Sequence, residues 1–136
     1  MRIVELLRPP LTAILIAAVA VMTTRDLASA NMRRHTALTR SEPAANDTLA
    51  AAPTAIKLWF SDKVELKVTT VKLKHAGGTA LALGAPTRSA TDEKAPVVLT
   101  ITAKLTPGSY TVSWSVAAKD GHPAKGSFGF VVKSPR

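Results

Sequence analysis

The sequence contains no cysteine. That excludes a disulfide, a zinc–thiolate site, an iron–sulfur cluster and a cysteine nucleophile. Aromatic residues are scarce, at 4%, and acidic residues number 9 against 18 basic ones. No helical period holds over about 11 residues, so an α-helical fold is excluded as well. What the chain does have is 46% hydrophobic residues in a length of 136. That content is too high for disorder, and the length suits one domain and not a large multidomain enzyme. A small domain without disulfides must rest on its core or on a bound metal.

The first 30 residues read as a separate segment. Arg2 and Arg8 precede an apolar run from Leu11 to Met22, and Ala28-Ser29-Ala30 offers small residues at the spacing a signal peptidase accepts. The run is too short to span a bilayer, which needs ~20 residues. Residues 1–30 are therefore expected to be a secretory signal peptide, cleaved after Ala30, with no membrane span left after processing. Residues 31–136 keep 15 basic and 7 acidic residues, a net charge of +8. The lysines are spread along strand-like stretches without interleaved aromatics, which reads as wet strand faces and not as a nucleic-acid site.

Short β-rich runs separated by Pro, Gly, Asn and Asp fill the rest. Ala55–Ser61 places Ile56, Leu58 and Phe60 on one face and Trp59 on the other. Val64–Lys74 is expected as one run, with Val71 and Leu73 alternating against Lys72 and Lys74. Gly77-Gly78 suits a tight hairpin. Ala85–Pro96 reads as a loop and Val97–Thr102 as a strand. Tyr110, Val112, Trp114 and Val116 alternate with polar residues, with Trp114 as core anchor. A loop over Lys119–Gly126 and a closing strand over Ser127–Lys133 complete the pattern. About seven strands in ~100 residues predict an all-β fold, a Greek-key sandwich or barrel of the Ig-like or cupredoxin-like kind.

Few residues can carry chemistry. There is no phosphate loop, no G-x-S-x-G elbow and no outstanding pair of carboxylates. The histidines are His35, His75 and His122. Asp120-Gly121-His122-Pro123 is the one local pattern that stands out. An i, i+2 spacing in extended backbone puts a carboxylate and an imidazole on one side, where they converge on a metal or the carboxylate simply orients the histidine. Nitrogen and oxygen donors without sulfur favour Cu(II) or Ni(II) over Cu(I). His35, near the expected processed start, is a candidate further ligand, whereas His75 beside the Gly-Gly turn reads as a surface residue.

Four blocks in order resemble the CopC-type periplasmic copper-binding proteins. His35-Thr36-Ala37-Leu38 through Asp47 is similar to their H-x-x-L-x-x-S-x-P-A opening. Leu58-Trp59-Phe60-Ser61-Asp62 resembles L-x-F-S-(E/D). Leu105 to Trp114 resembles L-x-x-G-x-Y-x-V-x-W, and Asp120 to Phe130 resembles D-x-H-P-x-x-G-x-x-x-F. The resemblance implies one Cu(II) ion held by His35, Asp120 and His122, with Asp62 nearby orienting a ligand or a water. In the family the matching histidine opens the mature chain, so that its α-amine also binds. Here Asn31-Met32-Arg33-Arg34 precede it, and either the tail is trimmed or His35 binds through its ring alone. With Met32 the one methionine past residue 30, a methionine-rich Cu(I) site is not expected.

The function so implied is a periplasmic, non-catalytic protein that sequesters or delivers copper in copper resistance. Copper is its expected partner, with an inner-membrane copper transport protein as recipient and a monomer as the expected state. The alternative is a metal-free Ig-like interaction module that keeps the fold without the site. A copper monooxygenase with a histidine brace would require a free α-amine on His35, which cleavage after Ala30 does not provide.

Overall fold

Side chains that alternate between apolar and polar settle as strands with one wet face. The computed structural model, which describes residues 35–134 apart from 90 and 93, forms eight of them. They are β1 (Leu38–Glu42), β2 (Thr48–Leu49), β3 (Ala55–Phe60), β4 (Thr70–His75), β5 (Ala80–Leu81), β6 (Val97–Thr100), β7 (Gly108–Ala117) and β8 (Pro123–Val132). The expected signal segment, residues 1–30, lies outside the described residues.

The strands form two sheets, ordered β1-β3-β6 and β2-β8-β7-β4-β5. Only β4–β5 and β7–β8 are both consecutive and adjacent, so the chain crosses repeatedly between sheets in Greek-key fashion. Every pairing is antiparallel except β2 with β8. The all-β sandwich is the expected one, with two of its eight strands only two residues long.

The inner faces share one core. The smaller sheet gives Ile56, Leu58, Val97 and Leu99; the larger gives Leu73, Tyr110, Val112, Trp114, Val116, Phe130 and Val132. Each such side chain contributes roughly 1.5–3 kcal/mol on full burial, and with no disulfide to help, this core carries the domain. Trp114 is its anchor as expected, meeting Phe60 edge-on at 5.3 Å. Trp59 turns to the opposite face, where the Arg40 guanidinium lies 4.5 Å from its ring centre.

Two expectations change. The run Val64–Lys74 is not one strand. Val64 makes an isolated bridge to Ala118, and a 3-10 turn over Leu66–Val68 intervenes before β4. The Thr69 hydroxyl donates to Glu65 O at 2.8 Å and the Val68 N–H reaches the same oxygen at 3.3 Å. Those local bonds compete successfully with the ladder. The loop expected over Lys119–Gly126 is also much shorter, because β8 begins at Pro123, paired with Ala117. Proline is tolerated as the first residue of a strand, where its missing N–H removes no essential ladder bond.

Candidate metal centre

Asp120 and His122 lie in the turn that joins the two longest strands. The turn closes through the Gly121 N–H on Ala118 O at 2.8 Å and the Ala118 N–H on His122 O at 3.2 Å. Gly121 takes φ +83°, a left-handed value that costs other residues roughly 1–2 kcal/mol. The curled backbone brings the Asp120 carboxylate back over His122. Oδ1 accepts the His122 backbone N–H at 3.1 Å, and Oδ2 lies 2.9 Å from His122 Nδ1. The pair thus converges through an Asx-type turn, and not through the extended i, i+2 geometry expected from the sequence.

This contact has a chemical consequence. A carboxylate on Nδ1 places the imidazole proton there and leaves the lone pair on Nε2, the form in which histidine binds metals. Both side chains remain accessible, at 50% for His122 and 66% for Asp120. The His122 backbone N–H, followed by its ring, holds the Asp120 carboxyl below its ordinary value of 3.8. Asp120 is therefore an anion throughout the range in which histidine titrates.

His35 is exposed, three residues ahead of β1. The backbone just after it is held by Ser61. The Ser61 N–H donates to Ala37 O at 2.8 Å, and the Ala37 N–H donates to Ser61 Oγ at 3.0 Å. The Ser61 hydroxyl in turn donates to Asp62 Oδ2 at 2.8 Å. Asp62 thus acts on the His35 segment through Ser61. Ser61 was not singled out by sequence reasoning. The available signal was a Ser-Asp pair directly after an apolar strand.

The hairpin turn and the Ser61 clip occupy the same end of the sandwich. Three residues past Ser61, no more than about 10 Å of chain, Val64 bridges Ala118. The next residue, Glu65, donates its N–H to Ala117 O at 2.9 Å. What the fold brings into direct contact is Asp120 with His122; His35 and Asp62 stand on the neighbouring segment. Among the described residues, no three His, Cys, Asp or Glu side chains stand close enough to hold an ion together. The donors present are nitrogen and oxygen without sulfur, a set that fits Cu(II).

His75 lies at the other end and is not the surface residue expected. It pairs with Tyr110 in the ladder and meets that ring edge-on at 5.0 Å. Its Nε2 is buried without a hydrogen-bond partner and occupies the space a side chain on Gly108 would need. Glycine at 108 thus makes room for an imidazole that the sequence alone left outside.

The family model described as the CopC domain matches residues 38–133. The match covers Asp62, Asp120 and His122 and begins just after His35. Protein YobA of Escherichia coli strain K12 is 36% identical over 116 residues, covering 85% of this chain and 92% of that one. Copper resistance protein C of Xanthomonas campestris pv. juglandis is 32% identical over 123 residues, covering 87% and 95%. Among solved structures, CopC from Methylosinus trichosporium OB3b superimposes with a TM-score of 0.67 at 28% identity, over 73% of this chain and 94% of that one.

Proposed function

The chain belongs to the CopC family, and on that premise we propose that it binds a single Cu(II) ion and sequesters or delivers it without catalysis. The family membership makes its function copper-related, in keeping with the copper resistance protein of Xanthomonas among its relatives. The observation that supports Cu(II) in particular is the Asp120–His122 pair, oriented before any metal arrives. In this reading His122 Nε2 and the His35 imidazole are ligands. Asp120, bonded to Nδ1 on the far side of the ring from that ligand atom, fixes the His122 tautomer, while Asp62 steadies the His35 segment through Ser61. Residues 1–30 direct export, and the site works in the periplasm, from which an inner-membrane transport protein takes up the copper.

The test is Cu(II) titration of the exported protein, read by calorimetry and by the d–d band, after mass spectrometry has fixed its first residue. His122→Ala abolishes the high-affinity phase. Asp120→Asn weakens it by about 10–100-fold, the usual cost of removing a group that orients a ligand. Affinity also falls as the solution is acidified, because protons compete for the same lone pairs. Unchanged Cu(II) binding by His122→Ala sinks the proposal.

A second reading has one observation in its favour: the described residues gather no three-ligand cluster. It makes the domain a metal-free interaction module. Wild-type protein that takes up no Cu(II) at all, by either readout, selects it.

A further inference from the structure

The outer face of the five-stranded sheet has an unusual distribution of charge. None of its strands contains an aspartate or glutamate. Alternation turns Lys72 and Lys74 of β4 and Lys125 of β8 outward, all exposed. Between them the outward positions of β7 are Ser109, Thr111, Ser113 and Ser115, every one exposed. The register sets Lys72 level with Ser113, and Ser113 level with Ser127. The row beside it runs Thr70, Ser115, Lys125. The floor of this face is thus short hydroxyl side chains, with a depression of about 470 Å³ at its centre, and three ammonium groups rise from it.

A face that is merely solvated normally mixes both signs. The other sheet does so: Glu42 there pairs with both Arg40 and Lys57. Among the described residues, no carboxylate pairs with Lys72, Lys74 or Lys125. Strand geometry puts Lys72 roughly 7 Å from Lys74 and roughly 12 Å from Lys125, two strands away, with Lys74 and Lys125 roughly 17 Å apart. All of these spacings lie within the Debye length of about 30 Å at 0.01 M salt, so at low ionic strength the three charges act on a partner together.

We propose that this face docks the protein on an anionic phospholipid bilayer. The partner must be negative, because the face carries one sign only. It must also be broad, because the three charges are spread over the width of three strands around the depression and are not gathered at one point. Tyr110, Trp114, Phe128 and Phe130 all sit at the inward positions of β7 and β8. Trp114 alone of these lines the depression, and at 9% exposure it does not offer the row of open aromatic platforms on which single-stranded nucleic acid stacks. Docked through this face, the protein holds the Asp120–His122 turn at the rim of the contact, since that turn joins two strands of the same sheet. The inference does not depend on whether the turn binds copper.

Vesicle co-sedimentation at low ionic strength tests it, with the exported protein and no copper. Mixed phosphatidylcholine–phosphatidylglycerol vesicles bind the wild type and pure phosphatidylcholine vesicles do not. Each lysine near such a surface strengthens binding roughly fivefold. K72Q/K74Q/K125Q therefore loses about 100-fold, while the arginine triple K72R/K74R/K125R retains binding and guards against a folding defect. K57Q/K94Q/K104Q removes the same charge from other segments, Lys57 lying on the other sheet, and stays within roughly fivefold of wild type. His122→Ala leaves vesicle binding unchanged, which separates this result from the copper titration. Equal losses in the two glutamine triples reduce the effect to net charge and overturn the proposal. So does a wild type that ignores anionic vesicles, or one that binds single-stranded DNA more tightly than vesicles through the same three lysines.

Discussion

Gly126→Ala is the sharpest test of how the hairpin is built. Gly126 faces Trp114 in the β7–β8 ladder. A β-carbon on it would stand 2.6 Å from Trp114 Cζ2 and 2.9 Å from Cε2. The backbone is not the obstacle, because Gly126 has no positive φ. Nor does the indole have a ready retreat, with Phe60 edge-on against it at an interplanar angle of 71°. Overpacking of this kind costs about 1–3 kcal/mol. Against it stands the entropy that alanine removes from the unfolded chain, about 0.4–1 kcal/mol in favour of folding. The collision wins by about 1 kcal/mol, which for a domain of this size lowers Tm by roughly 4–8 °C. A thermal melt followed by circular dichroism measures it. The cause is isolated by repeating the substitution in a Trp114→Phe background, where the colliding ring is smaller and the coupling between the two sites reaches ~1 kcal/mol. A Gly126→Ala protein that melts at or above wild type refutes the reasoning, as does an identical drop in both backgrounds.

Two further outcomes follow from the same end of the molecule. In apo protein the Asp120 carboxyl carbon titrates below 3.8 by NMR, and in His122→Ala its midpoint rises without reaching that value, since the backbone N–H at 122 remains. The sign is that of a depressed acid: the stabilisation is complete above the ordinary carboxylate range and is lost as pH falls through the lowered value. Ser61→Ala removes both the acceptor for Ala37 N–H and the donor to Asp62. It weakens Cu(II) binding about 10-fold with the melting temperature nearly unchanged, because the site is exposed, and Ser61→Thr restores it.

The strands were legible wherever one face is buried and the other wet. β3, β4 and β7 show that alternation, and their inward residues are the ones in the core. Legibility failed where local hydrogen bonds outbid the pattern, as Thr69 does on Glu65 O. It failed again at Pro123, which looked like part of a loop and opens a strand. His75 was misjudged because its burial depends on Gly108, more than thirty positions away. At the candidate site, the spacing of Asp120 and His122 announced that they would meet. It did not announce how, since extended and turned backbones both satisfy an i, i+2 pair. Ser61 went unread because its bonds to Ala37 join two segments 24 residues apart.

The opposed placement of the two tryptophans gives the molecule a pair of built-in optical probes. Trp114, 9% exposed beneath the hairpin, emits at short wavelength and reports on the integrity of the interior. Trp59, under Arg40 on the outer side, is two residues from Ser61 and is the fluorophore that a paramagnetic ion near His35 quenches first. With no third indole in the sequence, loading and unfolding register as separate signals, a drop in intensity for one and a red shift for the other, in a single unlabelled sample.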